Sequence, residues 1–553
     1  MKKTKYLPYI LALVVAGTGC KKEQFVKTNT DPTVIYSIEP EEEFLNVCIQ
    51  AHSSDFEAYY DIYRRMMPWM QMNTANAGNP KNFLNDIGNF NQRYGVFFPT
   101  MGSQVADLQN LINKKSDADK PKYVYMSAIA DIPKISYAFY VSDVNGSIPY
   151  TEAFQARYGG TFTPKYDSQQ ELFTVFNTRL KEIVTTLKTA QPVAQTSLGK
   201  NDLYFGGDVT KWIKAANALR LRIALRLVKR DAAAAKAIAD DVLADASQMA
   251  SNADGWVMWA NQDFTAGGNW NPTEFRAPKP TVDFMWKNSD PRIRIFYQKN
   301  NYTQDNLNAA IAAGVYPAGT TWNPRQYVGA HISPDSSQGK YKSWFTAKKV
   351  SDDLSLDTVS YLQWRMWQPA NNNGTGLNVF TVITYADYCF MRAELIARGL
   401  AAGDAGTWYN NGVTASITFY DDAGNKAKLP DYAALGANEI SDYLNMPDIK
   451  FNAAKALEQI SIQAYLNDYK QPNEAWAVFK RTGMPNKNTA LANEDIMIDG
   501  VAKDIPRRAA ISVPVSTDAN YETKTAAIAE MSKDPDFGQG PSDMFGRIWW
   551  DKK

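Results

Sequence analysis

The sequence predicts a mostly α-helical protein in which helix pairs support a large irregular, loop-rich face. Three observations lead there. Apolar residues recur at 3–4 spacing in seven segments, the period of an amphipathic helix. Several segments adjoin as pairs of about 34–40 residues, the content of a tetratricopeptide-like scaffold, although strict repeat consensus is absent. Between the pairs lie long aromatic and Asn/Gly-rich stretches, roughly 66–98, 256–279, 315–347 and 355–380, and loops of that length are usually functional.

In chain order, the first element is an address. A basic start (Lys2, Lys3, Lys5) precedes an apolar run of about ten residues, too short to span a bilayer. The small residues Ala16-Gly17-Thr18-Gly19 then lead into Cys20. This pattern reads as a secretory signal ending in a lipobox, with Gly17 where Leu is usual. Residues 1–19 are expected to be removed, 20–33 to form a tether lipidated on Cys20, and 34–553 to form a single domain. Loss of residues 1–19 removes three lysines and leaves 56 basic against 58 acidic residues, a net charge of about −2. A near-neutral body without a basic patch argues against a nucleic-acid partner.

The predicted helices are 122–141, 169–189, 210–229, 232–250, 385–400, 408–419 and 455–467. In 210–229, Trp212, Ala215, Ala216, Leu219, Ile223 and Leu227 form one apolar face, and Asp208 is placed to cap its start. Arg220, Arg222 and Arg226 cannot all face an apolar core, so they are expected to pair with acids. Asp387, Arg392 and Glu394 suggest a similar polar girdle. Gln459, Gln463 and Asn467 form a polar stripe. Trp212, Trp286, Trp408 and Trp476 lie in helical patterns and are expected in the core.

Cys48 and Cys389 read as buried free thiols. His52 and His331 are isolated, so no zinc-ligand spacing is visible and no cofactor is expected, with carboxylate sites for Ca or Mg left open. No Gly-x-Ser-x-Gly elbow, phosphate-binding glycine loop or zinc motif occurs, and the reading is not an enzyme.

Several motifs then carry a resemblance. Asp143-Val144-Asn145-Gly146-Ser147-Ile148-Pro149-Tyr150-Thr151-Glu152-Ala153-Phe154 resembles the D-x-x-G-x-[IV]-P-Y-x-E-A signature of SusD/RagB-type nutrient-binding lipoproteins. Matches follow in family order: Pro164 to Gln169, Trp212 with Ala216 to Arg226, Asp290-Pro291-Arg292, and Tyr385 to Glu394. Trp476 with Lys480 to Pro485, Ile505 to Arg508 and Trp549-Trp550-Asp551 complete the series. Ala218 stands where the family helix usually has Ser. These signatures are read as scaffold.

The resemblance implies a SusD-like fold of four tetratricopeptide-like helix pairs on a surface-exposed, lipid-anchored outer-membrane protein of Bacteroidetes. Its implied partner is a SusC-like TonB-dependent transporter, over which it forms a lid for nutrient uptake. The implied ligand is a glycan, with a peptide or a purely structural gating role as alternatives. Binding residues must be sought in this chain itself. Sugars present apolar C–H faces between hydroxyls, which calls for flat aromatics beside fixed amides. The candidates are Trp69, Gln71, Asn73, Asn76, Trp270, Asn271, Trp322, Tyr341 and Trp344, with Trp69 and Trp270 foremost. The same loops also offer Tyr94, Phe264, Asn269, Arg325, Tyr327, Trp364 and Trp367.

Overall fold

A computed structural model describes residues 38–74, 90–261, 275–337, 346–367 and 376–553. Helices dominate. Helix α1 (Pro40–Gln50) is followed by a ten-residue π-helix, Glu57–Met66, an uncommon form that often marks functional sites. Next come α2 (Gly102–Asn113), α3 (Val124–Asn145), α4 (Gln169–Lys188), α5 (Val209–Leu227) and α6 (Ala232–Leu243). The central region holds α7 (Lys279–Lys287) and α8 (Gln304–Ala312). After it run α9 (Tyr385–Ala397), α10 (Ala405–Lys426), α11 (Ala456–Asn467), α12 (Pro472–Thr482) and α13 (Tyr521–Met531).

Strands are few and short. β1 (Trp256–Ala260) is antiparallel to β4 (Asn378–Ile383), while β2 (Lys348–Lys349) pairs with β3 (Ser355–Leu356) and β5 (Ile496–Ile498) with β6 (Val501–Lys503).

Helices pack in sequential pairs: α1 with α2, α3 with α4, α5 with α6, α9 with α10 and α11 with α12. Two apolar clusters fill the interior, one among α1–α6 and one among the π-helix, α7 and α9–α12. In the first, the Trp212 ring sits edge-on to Phe44, Phe205 and Trp256, and its Nε1–H donates to Asp202 at 2.8 Å. Asp208 caps α5 as expected, its carboxylate accepting from the Thr210 and Lys211 amides.

Boundaries differ where polar side chains intervene. The predicted 232–250 helix ends at Leu243, because Asp245 turns back to accept from the Ser247 amide at 2.8 Å and from Asn217 at 3.2 Å. The predicted 408–419 helix extends to Ala405–Lys426, started by Asp404, whose carboxylate accepts from Gly406 and Thr407. Cys48 and Cys389 are buried free thiols.

The arginines of α5 resolve into a buried ionic hub. Arg226 contacts Asp143 at 2.8 Å and Glu474 at 2.7 Å, and Arg222 lies 3.5 Å from Glu474 and 3.6 Å from Asp387. Burial alone would raise the Glu474 carboxyl, but Arg222 and Arg226 bring it down to about 2. Glu394 behaves alike: Arg481 and Arg398 outweigh its burial and hold it at about 2. Gln463 of the polar stripe is buried and accepts from Arg292 at 2.8 Å.

Candidate functional site

The signature turn begins where α3 stops. Gly146 takes φ +84°, and a Cβ there would meet the Met531 sulfur at 2.7 Å, so the position needs glycine on both counts. Ile148 bridges to Asp167, whose carboxylate accepts from the amides of Tyr150 (3.0 Å) and Thr151 (2.8 Å) and from the Thr151 hydroxyl (2.7 Å). This clamp fixes the turn against residues 164–167. It also delivers Phe154 over Gly102, where a Cβ would strike the Phe154 ring.

An open cleft of about 620 Å³ results, within the range of small-molecule sites. One wall is a ladder of half-buried rings: Tyr94 lies 5.0 Å from Phe98, and Phe98 stacks 5.9 Å from Phe154. The opposite wall comes from α13 and residues 510–512. There Asn520 donates to the Tyr166 hydroxyl at 2.9 Å, and Lys524 donates to Ser512 Oγ at 2.7 Å. The floor is an amide pair: Asn145 donates to Asn91 Oδ1 at 3.0 Å while accepting from Arg93 Nε at 2.8 Å. Arg93 is itself locked to buried Asp61 at 3.0 Å, so the floor is rigidly oriented. Burial pushes the Tyr166 hydroxyl up to about 12, which keeps it a neutral donor and acceptor. Lys524 is the only charged group among the described lining residues, and no carboxylate, histidine or cysteine is present. A glycosidase needs two carboxyl groups flanking the scissile bond, and this lining supplies neither. No group of metal-binding side chains occurs among the described residues.

The sequence-predicted contacts lie elsewhere. Trp69 is fully buried, its ring centroid 4.9 Å from Phe90 and 5.2 Å from Trp476, and it presents no face to a ligand. Gln71 is also buried, exchanging hydrogen bonds with the Glu494 backbone at 2.7 and 2.9 Å. Asn73 is buried and donates to the Tyr63 carbonyl at 3.0 Å. These three residues hold the loop to the body, which corrects their assignment as ligand contacts. Trp322 is half-buried and donates to the Tyr302 carbonyl at 2.8 Å; it does not line the cleft. Asn76, Trp270, Asn271, Tyr341 and Trp344 lie outside the described residues, as do Phe264, Asn269 and Cys20. The described flanks of two of these segments adjoin, since Thr74 and Arg276 exchange hydrogen bonds at 3.1 Å. Trp286, expected in the core, is 46% exposed beneath the Arg325 guanidinium.

Of the loop aromatics singled out in the sequence, Tyr94 reaches the cleft. Asn145, Phe154 and Tyr166 stood in the signature motifs and were read as scaffold; their neighbours hold the fold, but these three also wall the cleft. Phe98, Asn520 and Lys524 carried no signal of their own.

A family profile, SusD-like_2, described as starch-binding and associating with the outer membrane, matches residues 37–509. No curated protein sequence matches the chain. Among solved structures, one described as a chitin-binding protein has a TM-score of 0.71 at 21% identity, covering 93% of this chain and 100% of its own. A SusD homologue from Bacteroides fragilis gives 0.67 at 19% identity, covering 94% and 100%. A chitin-binding SusD homologue from Flavobacterium johnsoniae gives 0.64 at 19%, covering 93% and 98%. At these identities the structures speak for the fold, and together with the profile they establish that the chain belongs to the SusD-like family.

Proposed function

We propose that the protein binds a nutrient oligosaccharide in the cleft, anchored at the cell surface through lipidated Cys20, and serves as the lid of a TonB-dependent, SusC-like outer-membrane transporter. One observation carries the reading: a row of accessible rings (Tyr94, Phe98, Phe154) faces fixed amide and hydroxyl groups (Asn91, Asn145, Tyr166, Asn520) with no carboxylate between them. Rings meet the apolar faces of a sugar, the amides and hydroxyls meet its equatorial groups, and the lining favours binding over hydrolysis. The chitin-binding descriptions of two structural relatives make β-linked glycans the first class to test.

The lid role draws support from the rim. Phe162 (78% exposed) and Val513 (67%) are exposed apolar side chains two residues and one residue in the chain from the lining residues Pro164 and Ser512. No described helix is long and apolar enough to cross a membrane, in keeping with attachment by lipid.

Calorimetry on the chain from residue 21 onward, against chitin, starch and peptide oligomers, tests the ligand. Saturable glycan binding weakened by Tyr166→Ala supports the reading. Binding of peptides alone would move the assignment to a peptide lid, with Lys524 meeting a carboxylate. Uptake that depends on the protein without any binding would indicate a structural gate. Co-purification with the barrel tests the lid: Phe162→Asp with Val513→Asp is expected to break that association while leaving glycan affinity unchanged.

A further inference from the structure

A second cavity lies apart from the first cleft and shares none of its lining residues. It has a volume of about 150 Å³ and is lined by the π-helix, α3, β1 and β4, together with the residues that follow α1 and the start of α12. Rings dominate its wall: Tyr63, Tyr140, Tyr204, Trp256, Trp367 and Phe380. By the same measure a water needs roughly 10–15 Å³, so the space holds far more than one water.

Its polar groups are arranged to avoid net charge. His52 stacks on Phe380 with centroids 5.0 Å apart, lies 2.9 Å from the Tyr204 hydroxyl, and is held near 3 by burial and by Lys470, hence neutral. Glu57 accepts from the Tyr137 hydroxyl at 2.6 Å. Lys470 donates to the Met366 carbonyl at 2.6 Å and to Asn378 at 3.1 Å, its Nζ lies 3.9 Å from the Trp367 ring centroid, and burial draws its amine well below the ordinary lysine range, toward the neutral form. Arg222 and Glu474 at one end offset each other.

Two lining groups remain unmatched. Trp256, 1% exposed, has an indole N–H with no acceptor, and the Thr381 hydroxyl has no partner. They stand on adjoining strands, where Val257 pairs with Thr381. Buried donors are rarely left this way, and an orphan in a cavity wall marks where another molecule supplies the acceptor.

We infer that this cavity is a binding site for a small, neutral, flat aromatic molecule carrying one hydrogen-bond acceptor, which takes the Trp256 N–H and the Thr381 hydroxyl while its ring packs among the wall rings. Offset and edge-on contacts between aromatic rings favour such a guest over an aliphatic one. A charged analogue would lose its hydration without finding a counter-charge. The site stands independently of the glycan reading.

The test uses acetophenone, ethylbenzene of similar shape without the carbonyl, and benzoate as the charged counterpart. Binding to the full soluble chain is followed by calorimetry and by tryptophan fluorescence. Acetophenone is expected to bind saturably, about tenfold more tightly than ethylbenzene, with benzoate not binding. Trp256→Phe, which keeps a ring, should erase the preference for acetophenone over ethylbenzene. Ser136→Leu, which fills the cavity from α3, should abolish binding while the protein melts at or above the wild-type temperature. Absence of saturable acetophenone binding to the wild-type chain would overturn the site. Equal binding of acetophenone and ethylbenzene, or acetophenone binding that survives Ser136→Leu, would overturn its assignment to this cavity.

Discussion

The ionic hub and the open cleft use the same kinds of side chain in opposite ways. At the hub, Arg222 and Arg226 are enclosed with Asp143, Asp387 and Glu474, and each of these groups has an oppositely charged neighbour within the protein. At the cleft, Tyr94, Phe98 and Phe154 are braced from behind but leave faces uncovered, and Asn145 is oriented by Arg93 instead of neutralised. The two regions meet on α3, where Asp143 belongs to the hub and Asn145, two residues on, belongs to the cleft floor. The signature motif thus fixes the frame, and its edge lines the cleft proposed as the binding site.

The largest expected effect comes from breaking the hub. Arg226→Ala leaves buried Asp143 without its ion-pair partner and Glu474 with Arg222 alone, and should cost about 3–5 kcal/mol, read as a lower denaturation midpoint, with glycan affinity of the folded fraction preserved. Trp69→Ala belongs to the same class, at about 3–5 kcal/mol from lost packing against Phe90 and Trp476.

A pH profile separates two kinds of buried carboxyl next. Burial and the neighbouring Asp61 raise Glu57 to about 7 from its ordinary 4.5. The unfolded chain releases this proton near 4.5 while the folded chain keeps it until about 7. Stability therefore falls across that window, by about 3 kcal/mol in all. Glu57→Gln should remove the decline. Glu474 and Glu394 act with the opposite sign: their depressed values give stability that is present above 4.5 and lost as pH falls toward about 2. Urea titrations at several pH values check both slopes, and an unchanged slope between 4.5 and 7 in Glu57→Gln would contradict the first.

At the cleft the expected changes are in affinity. Tyr166→Ala removes a ring and a hydroxyl and should weaken glycan binding about tenfold with little loss of stability. The smallest effect is expected for Lys524→Met, within about twofold for a neutral glycan and insensitive to salt. A strong, salt-sensitive loss there would point to an anionic ligand.

Much of the frame was legible in the sequence because it is written locally. Helical period placed the paired helices, Asp208 announced the start of α5, and arginines in an apolar helix required acids. Tryptophans were less legible, since chain context misled in both directions. Trp69 looked like a loop residue, yet the chain continues from the π-helix into the short helix Met67–Trp69 and carries it beneath α12. Trp286 lies in an amphipathic pattern, yet it falls on the outer side of α7, where Arg325 covers it. The cleft was the least legible part, because its walls come from distant segments: Tyr166 and Asn520 are 354 residues apart. No local spacing encodes that contact; only the packing of α13 against the signature turn creates it.

The most direct test of the central claim is a calorimetric titration of the soluble chain with a chitin oligosaccharide, repeated on Tyr166→Ala and Asn520→Ala. Saturable binding that weakens about tenfold in each variant, with wild-type melting, is the predicted result. Binding of equal strength in all three proteins, each melting as wild type, would place the glycan elsewhere and contradict the cleft as the site.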